Sequence, residues 1–366
     1  MNTLNGRLLT LDVMRGIIMI LLAAESTALY TNMHQLTEGN ALDVLVQQFF
    51  HHPWHGLRAW DLVQPAFMFM AGAAMYIAFS RKREKGQPWM KQWPHILKRC
   101  AWLLFWALAI YSVLSGKPVW ELWNVLAQLS VTTLIAFLII ERSTKFQLVF
   151  SLALLLITEL LYRYTNIPGY DQPFTEHKNF GTWMDLVLMG KTNSDGWVAF
   201  NFIPTAAHTI WGCLVGKLLI SQQTAKEKMK WLLIAGAVAT LVGFGLDITG
   251  ISPIIKRICT SSFVLASGGL VILLTAACYR IIDIGGWNRF AWIAVVVGMN
   301  SLFIYILFEI MGWTWINKSV AVFTMPLFTA VNLPDAWAQL LTSLVILVGY
   351  WLLCWWLYKK KIFFKI

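Results

Sequence analysis

The stretch WDLVQPAFMFMAGAAMYIAF, residues 60–79, decides the fold class. It is twenty residues long with Asp61 as its one charge, and Arg81, Lys82 and Arg83 follow almost at once. Crossing the hydrocarbon of a bilayer takes about 20 mostly apolar residues in a helix, and a basic cluster at one end marks the cytoplasmic side. The rest of the chain repeats this pattern. Of 366 residues, 58% are apolar and only 13% are charged, with 20 tryptophans. An ordinary soluble domain carries roughly a quarter charged residues, so this chain has too little polar surface to cover its hydrocarbon in water. The net charge of +11 sits in short clusters between apolar blocks, a pattern that excludes a nucleic-acid-binding domain and leaves membrane lipids as the surroundings.

Ten spans are expected, near Leu8–Leu29, Trp60–Phe79, Leu97–Val113, Leu122–Ile140, Phe146–Tyr162, Phe200–Ile220, Trp231–Ile248, Cys259–Tyr279, Phe290–Met311 and Ala338–Tyr358. They are too long and continuous for barrel strands, so the expected class is an all-α polytopic membrane protein forming a single integral domain. With the N-terminus inside, 20 Lys and Arg fall on the inner side, among them Arg7, the seven from Arg81 to Arg99, and Lys359, Lys360, Lys361 and Lys365. Eight fall outside, Arg58 and Lys256 among them, and Arg15 lies in the first span. Both termini are therefore expected in the cytoplasm. Residues 320–331, with Pro326 among them, are too short for a span and read as a re-entrant or interfacial segment. An eleventh crossing there would put the lysine-rich tail outside, against the charge rule.

The first block reads as a retained helix rather than a cleaved leader, because Asp12 and Arg15 interrupt it. All five cysteines lie in or beside spans without a CxxC pair, which argues against both a disulfide framework and a thiolate metal site. Residues 30–59 and 163–199 read as long outer loops, periplasmic if the membrane is a bacterial inner one. Loops of that length in a compact protein are usually functional. No repeat, low-complexity tract, nucleotide loop or pair of broken helices of the transporter kind stands out.

Some residues are not explained by the apolar background. Asp12 and Arg15, three apart, share a helix face and can pair, either as a structural ion pair or in contact with ligand. Asp61 suits a helix N-terminus as a cap and could also orient a histidine or hold an acceptor. Asn300, inside a span, needs a partner in the bundle, whether another helix or a cofactor. His51, His52 and His55 lack a metal-protease pattern, and no metal is expected. One neutral imidazole near the outer mouth is instead a natural general base. His208 reads as packed in a span and His95 as solvated.

The residues also carry a resemblance. Arg7-Leu8-Leu9-Thr10-Leu11-Asp12-Val13-Met14-Arg15-Gly16 resembles the R-x-x-x-L-D-x-x-R-G opening of the heparan-alpha-glucosaminide N-acetyltransferase family and its bacterial relatives. His51-His52-Pro53-Trp54-His55-Gly56-Leu57, followed by Asp61-Leu62-Val63-Gln64-Pro65-Ala66-Phe67, resembles that family's H-x-x-W-x-G-x-x-x-x-D-L-x-x-P-x-F signature. Lys256 to Leu265 and Gly298 to Tyr305 resemble its K-x-x-W-T-x-S-F-V-L and G-x-N-A-x-x-x-Y blocks. The resemblance implies transfer of an acetyl group from cytoplasmic acetyl-CoA to an amino sugar or glycan across a bacterial inner membrane. It implies His51 as the catalytic histidine and Asp61 as the acidic residue of the same signature. Asp12, Arg15, Ser262, Asn300 and Tyr305 become candidates for shaping the cofactor passage. His52 is out of register and His55 falls where relatives carry Asn, so neither inherits the role.

The chain departs from the family pattern at three places. Cys259 replaces a Trp, Gln128 stands where relatives often carry Arg, and Asp195-Gly196 is what remains of a D-P-E-G-L segment. Gln128 stays among the cofactor candidates. Inner-face Arg81, Lys82, Arg99, Lys217 and Arg289 are placed to hold the donor's phosphates, or merely record topology. Two rival readings fit the same residues, an amino-sugar or N-acetylglucosamine permease and an envelope-glycan O-acetyltransferase. The sequence is silent on oligomeric state, a homodimer included.

Overall fold

In a computed structural model, residues 8–364 are described, all helical or irregular with no named strand among them. The helices are α1 (Leu9–Ser26), α2 (Leu29–Thr37), α3 (Asp43–Val46), α4 (Val63–Glu84), α5 (Trp89–Leu114), α6 (Val125–Leu138) and α7 (Thr144–Tyr164). They continue with α8 (Phe180–Met189), α9 (Phe202–Ile220), α10 (Ala225–Ile248), α11 (Ser261–Tyr279), α12 (Ala291–Gly298), α13 (Ser301–Leu307), α14 (Asn317–Ala330) and α15 (Asp335–Lys359). Local chemistry sets many of the starts. Asn124, Ser143, Asn179, Thr224 and Thr260 each accept a backbone N–H from the first turn of α6, α7, α8, α10 and α11. At α10 the cap is reciprocal, since Glu227 reaches back to the Thr224 N–H.

Seven helices are long and apolar enough to cross a membrane, and up to nine if each of two bent pairs is one span. The protein is thus an all-α, multi-pass membrane protein. Three of the ten expected spans differ. Residues 122–140 form only the 14-residue α6, about 21 Å long against a hydrocarbon core of about 30 Å. The expected span Phe290–Met311 is instead broken, with a 70° bend between Ala291–Gly298 and Ser301–Ala330. From Ser301 the helix runs through a π-helical stretch, Phe308–Ile316, into α14, so residues 320–330 are its last turns and Pro326 lies inside it. The first span also stops short at Ser26, and α2 departs at 67° through Ala28, whose φ is +62°. Broken helices, which the sequence did not reveal, are therefore present.

The described residues divide into two compact units. The first takes the described residues of Met1–His51, with Arg58–Trp60 and Ile281–Ile366. Here α1 lies against α12, so close that a methyl group on Gly16 would overlap the Ala294 carbonyl. At the break after α1, side chains replace the missing helical partners: Asn317 donates to the Ser26 carbonyl at 2.8 Å and Ser343 to that of Thr27 at 2.6 Å. Asp283 takes the first N–H groups of α1, Leu9 at 3.2 Å and Thr10 at 3.1 Å. Arg7 and Lys365, counted for orientation, lie outside the described residues.

The second unit comprises His52–Leu57 and Asp61–Arg280. Its tightest helix pairs, α4 with α9 and α10 with α11, meet at small residues. Gly72 faces the Thr209 carbonyl, Gly212 faces that of Phe69, and Gly269 faces Thr240. In lipid, where no hydrophobic effect drives helices together, close backbone packing of this kind does so. One apolar core joins Met75, Phe79, Ile96, Cys100, Phe137 and Ile210. A second, under the 163–199 loop, gathers Tyr162, Phe180, Val198, Phe200, Ile255 and Ile258, with Trp54 packed against it.

Candidate functional site

His51 belongs to the first unit, at the end of a run of short helical turns from α2 to a 3-10 turn, Gln47–Phe49. Phe50 is already extended, with φ −116° and ψ 153°, so the chain reaches His51 outside any helix. Aromatic rings surround this point. Tyr30 stacks on Phe49 at 4.7 Å and meets Trp60 edge-on at 5.2 Å, and the His51 imidazole lies 6.5 Å from the Trp60 ring. His51 itself is half-buried. The His51 carbonyl accepts from Arg58 at 3.2 Å. Nearby, Asp43 accepts from His34 Nδ1 at 2.6 Å and Gln47 Nε2 at 2.7 Å. Those hydrogen bonds, Gln47's first and His34's second, hold the Asp43 carboxyl below the usual carboxylate range.

The first unit's other sequence candidates make contacts within that unit. Asp12 and Arg15 pair at 3.6 Å on one face of α1. Asn300, at the break before α13, uses both ends of its amide on the C-terminal segment. It donates to the Ile362 carbonyl at 3.0 Å and accepts from the Phe364 N–H at 3.0 Å. Tyr305 is buried on α13, edge-on to Phe308. Arg289 is exposed, with its guanidinium over the Phe290 ring.

In the second unit, Asp61 is fully buried. Its Oδ1 lies 3.4 Å from Lys256 Nζ, itself 4% exposed, and its Oδ2 accepts the His52 N–H at 3.2 Å. A charge pair withdrawn from water must be partnered on both sides, and here the lysine provides the countercharge. Lys256 Nζ also sits 5.6 Å from the Trp197 ring, and Arg257 lies 6.0 Å from it. Arg257 pairs with Glu176 at 3.1 Å and donates to the Asp195 carbonyl, tying two parts of the 163–199 loop to the 253–260 turn.

The 52–57 segment is fixed to that same turn. Gly56 donates to the Ile254 carbonyl at 2.8 Å, and His55 bridges Ile255 in antiparallel fashion. His55 Nε2 lies 2.6 Å from Asp247 Oδ1, which also takes the Ile254 N–H at 2.8 Å. Trp54 donates to the Phe174 carbonyl at 2.9 Å. Gly56 has φ +143°, and any side chain there would run into the His52 ring. The glycine of the H-x-x-W-x-G pattern is thus explained by backbone geometry.

Gln128 is buried on α6 and hydrogen-bonds Gln64 on α4. Ser262 donates to the Pro253 carbonyl at 2.7 Å and lies 3.1 Å from the Thr260 hydroxyl, bracing the start of α11. Arg81 and Lys82 lie in the last turn of α4, Arg99 lies on α5, and Lys217 donates to Thr144 at 3.3 Å from the last turn of α9. The five candidate phosphate-holding cations are therefore divided, four in the second unit and Arg289 in the first. Among the described residues no three His, Cys, Asp or Glu side chains come together as a metal-holding group. His208 is packed as expected, its Nε2 3.0 Å from the Val264 carbonyl.

Residues 7–246 match the sequence model of one family, described as heparan-alpha-glucosaminide N-acetyltransferase, catalytic. That is about two thirds of the chain, and it includes the His51-to-Asp61 signature. The chain belongs to the heparan-alpha-glucosaminide N-acetyltransferase family. No match to a curated protein was found. Membership makes the protein an enzyme, a membrane-embedded transferase of the acetyltransferase type. Ser262, Arg289, Asn300 and Tyr305 lie beyond the matched residues. By sequence alone Lys256 is one residue of a motif and one of the outer-loop charges. The signal available was a lysine beside a run of apolar residues, Ile254, Ile255 and Ile258. Trp197 and Arg58 carried no signal of their own.

Proposed function

We propose that this acetyltransferase moves the acetyl group of acetyl-CoA onto the amine of a glucosamine-like sugar, with His51 as general base. The observation that carries the reading is the family match across residues 7–246, a range that spans His51 to Asp61. The position of His51, a half-buried residue with its ring 6.5 Å from that of Trp60, supports it, since a base must be both held in place and within reach of its substrate. The amine nitrogen attacks the thioester carbon while His51 takes its proton. The tetrahedral adduct then collapses, the C–S bond breaks, and the thiolate leaves to be protonated as free CoA. Direct transfer is the simplest route, because a base that removes a proton need not itself become acetylated.

Arg81, Lys82, Arg99, Lys217 and Arg289 are the proposed cytoplasmic cations for the donor's phosphates, with Gln128, Ser262, Asp12, Arg15, Asn300 and Tyr305 as polar candidates along the pantetheine. Asp61 is the proposed acidic partner of the signature, its charge balanced by Lys256. Ten crossings with both termini in the cytoplasm of a bacterial inner membrane fit the charge distribution, with α6 as the short tenth.

The test is an acceptor screen with acetyl-CoA and purified protein in detergent, read by product mass. Acetylated glucosamine with released CoA supports the reading. An ester on oxygen would move it to an O-acetyltransferase, and net sugar flux into proteoliposomes without acetyl-CoA would replace it with a permease, a reading to which the two bent helices lend support. His51→Ala should remain folded and lose roughly 100-fold or more in turnover. Wild-type turnover in that variant would remove His51 from the mechanism. Radiolabel from acetyl-CoA retained on His51 without acceptor would replace direct transfer with an acetyl-enzyme.

A further inference from the structure

We infer that Arg58 is a positioning residue for the base: its guanidinium clamps the main chain at His51 and is itself aimed by Asp43 through Gln47. This rests on the reading of His51 as general base. All four residues belong to the first unit. Arg58 donates from Nη1 to the His51 carbonyl at 3.2 Å and from Nη2 to Gln47 Oε1 at 3.3 Å. Gln47 in turn donates from Nε2 to Asp43 Oδ2 at 2.7 Å.

The chain of bonds has a fixed polarity. An ionised carboxylate can only accept, so the Gln47 amide must turn its NH₂ toward Asp43 and its oxygen toward Arg58. Reversing the amide would set acceptor against acceptor at one end and donor against donor at the other. A guanidinium holds its donors in a rigid plane, so fixing Nη2 on Gln47 also fixes the direction of Nη1. Asp43 is anchored on its far side by His34 Nδ1 at 2.6 Å and Thr37 Oγ1 at 3.3 Å. The adjacent Gln48 accepts the Ala59 N–H at 3.3 Å, so two successive glutamines tie residues 47–48 to 58–59.

The need for such a clamp follows from the local backbone. The last helical turn ends at Phe49, and Phe50 is extended, so the peptide at His51 lies outside any helix. A base displaced by about 1 Å loses much of its effect, about 100-fold in unfavourable cases. Holding the carbonyl at position 51 limits the movement of its Cα and leaves the imidazole for chemistry.

The experiment compares wild type, His51→Ala, Arg58→Ala, Gln47→Ala and the Arg58→Ala/Gln47→Ala double variant, with acetyl-CoA and glucosamine as probes. Arg58→Ala should lower kcat about 10- to 100-fold while the KM for acetyl-CoA stays within about twofold. Gln47→Ala should lose less, and the double variant should be no slower than Arg58→Ala, since Gln47 acts through Arg58. If Arg58→Ala turns over at the wild-type rate, or the two losses multiply, the clamp is refuted. If Arg58→Ala yields no folded protein, Arg58→Lys keeps the charge without the fork; a smaller fall in its kcat is expected, and an unchanged kcat refutes the clamp. Failure of the underlying reading is separate: wild type would be inactive with these probes, or His51→Ala would match wild type.

Discussion

Replacing Lys256 by Met tests the energetics of the buried pair with Asp61. At 3.4 Å and an effective dielectric of about 20, the Coulomb attraction is about 5 kcal/mol. Part of that attraction is offset by the cost of withdrawing both charges from water, so the pair's net worth is smaller. Removing the lysine alone is different: Asp61 stays fully buried, its charge opposed by no ammonium, and the expected cost is about 3–5 kcal/mol. For a chain this size that corresponds to a fall of roughly 4–7 °C in melting midpoint, read by tryptophan fluorescence in detergent. Asp61→Asn/Lys256→Met removes both charges, and Asn can still accept the His52 N–H, so most of the midpoint should return. A single variant that melts with wild type, or a double variant whose loss is the sum of the singles, would refute the account. The double variant also separates two roles for Asp61. If the carboxylate is only structural, the restored protein should turn over; if its charge serves the reaction, the protein should be stable and slow.

Three other outcomes follow from the same structure. Gly16→Val drives a branched side chain into the Ala294 carbonyl and should separate α1 from α12, at a cost above about 3 kcal/mol by the same melting assay. Gly56→Ala combines a strained φ of +143° with contact against His52, and should cost about 1–3 kcal/mol while lowering turnover; unchanged melting would contradict the strain argument. Burial pushes the Asp185 carboxyl from 3.8 up to about 6, against the N–H donors of Ala199 and Trp123. A raised folded-state value means this contribution is complete below pH 3.8 and is lost as pH rises through about 6, by ~3 kcal/mol at most. Asp185→Asn should flatten that slope in melting midpoints taken between pH 4 and 7. A slope equal to that of wild type would put the origin elsewhere.

Hydrocarbon thickness made most of the membrane architecture legible. A helix that must satisfy its own backbone in lipid announces itself as about 20 apolar residues, and residues 60–79, 97–113, 200–220 and 338–358 all became long helices. The failures occurred where helices are interrupted by side-chain chemistry. Nothing in Ser26-Thr27-Ala28 forbids a helix, yet the chain turns there, where Asn317 and Ser343, about 300 residues away, donate to the Ser26 and Thr27 carbonyls. At the Met299–Asn300 break the bonds run the other way, from the Asn300 amide to the backbone of Ile362 and Phe364. Sequence periodicity cannot register a bond made by a distant side chain.

The site was legible in a complementary way. A charge in an apolar run shows its cost on the page, so Asp12 and Asp61 stood out, but the cost does not name the partner. For Asp12 the partner is three residues on, within one turn, and helical spacing alone found Arg15. For Asp61 it is Lys256, across 195 positions, and orientation by charge counting had assigned that lysine to the aqueous loops. A lysine can be counted as an outer charge and still be buried, because the topology rule weighs where a loop lies and not whether its charges meet water. Arg58 passed unnoticed for the same reason. Loop arginines are ordinary, and only a Gln47 amide already oriented by Asp43 converts this one into a two-pronged clamp on the peptide at His51.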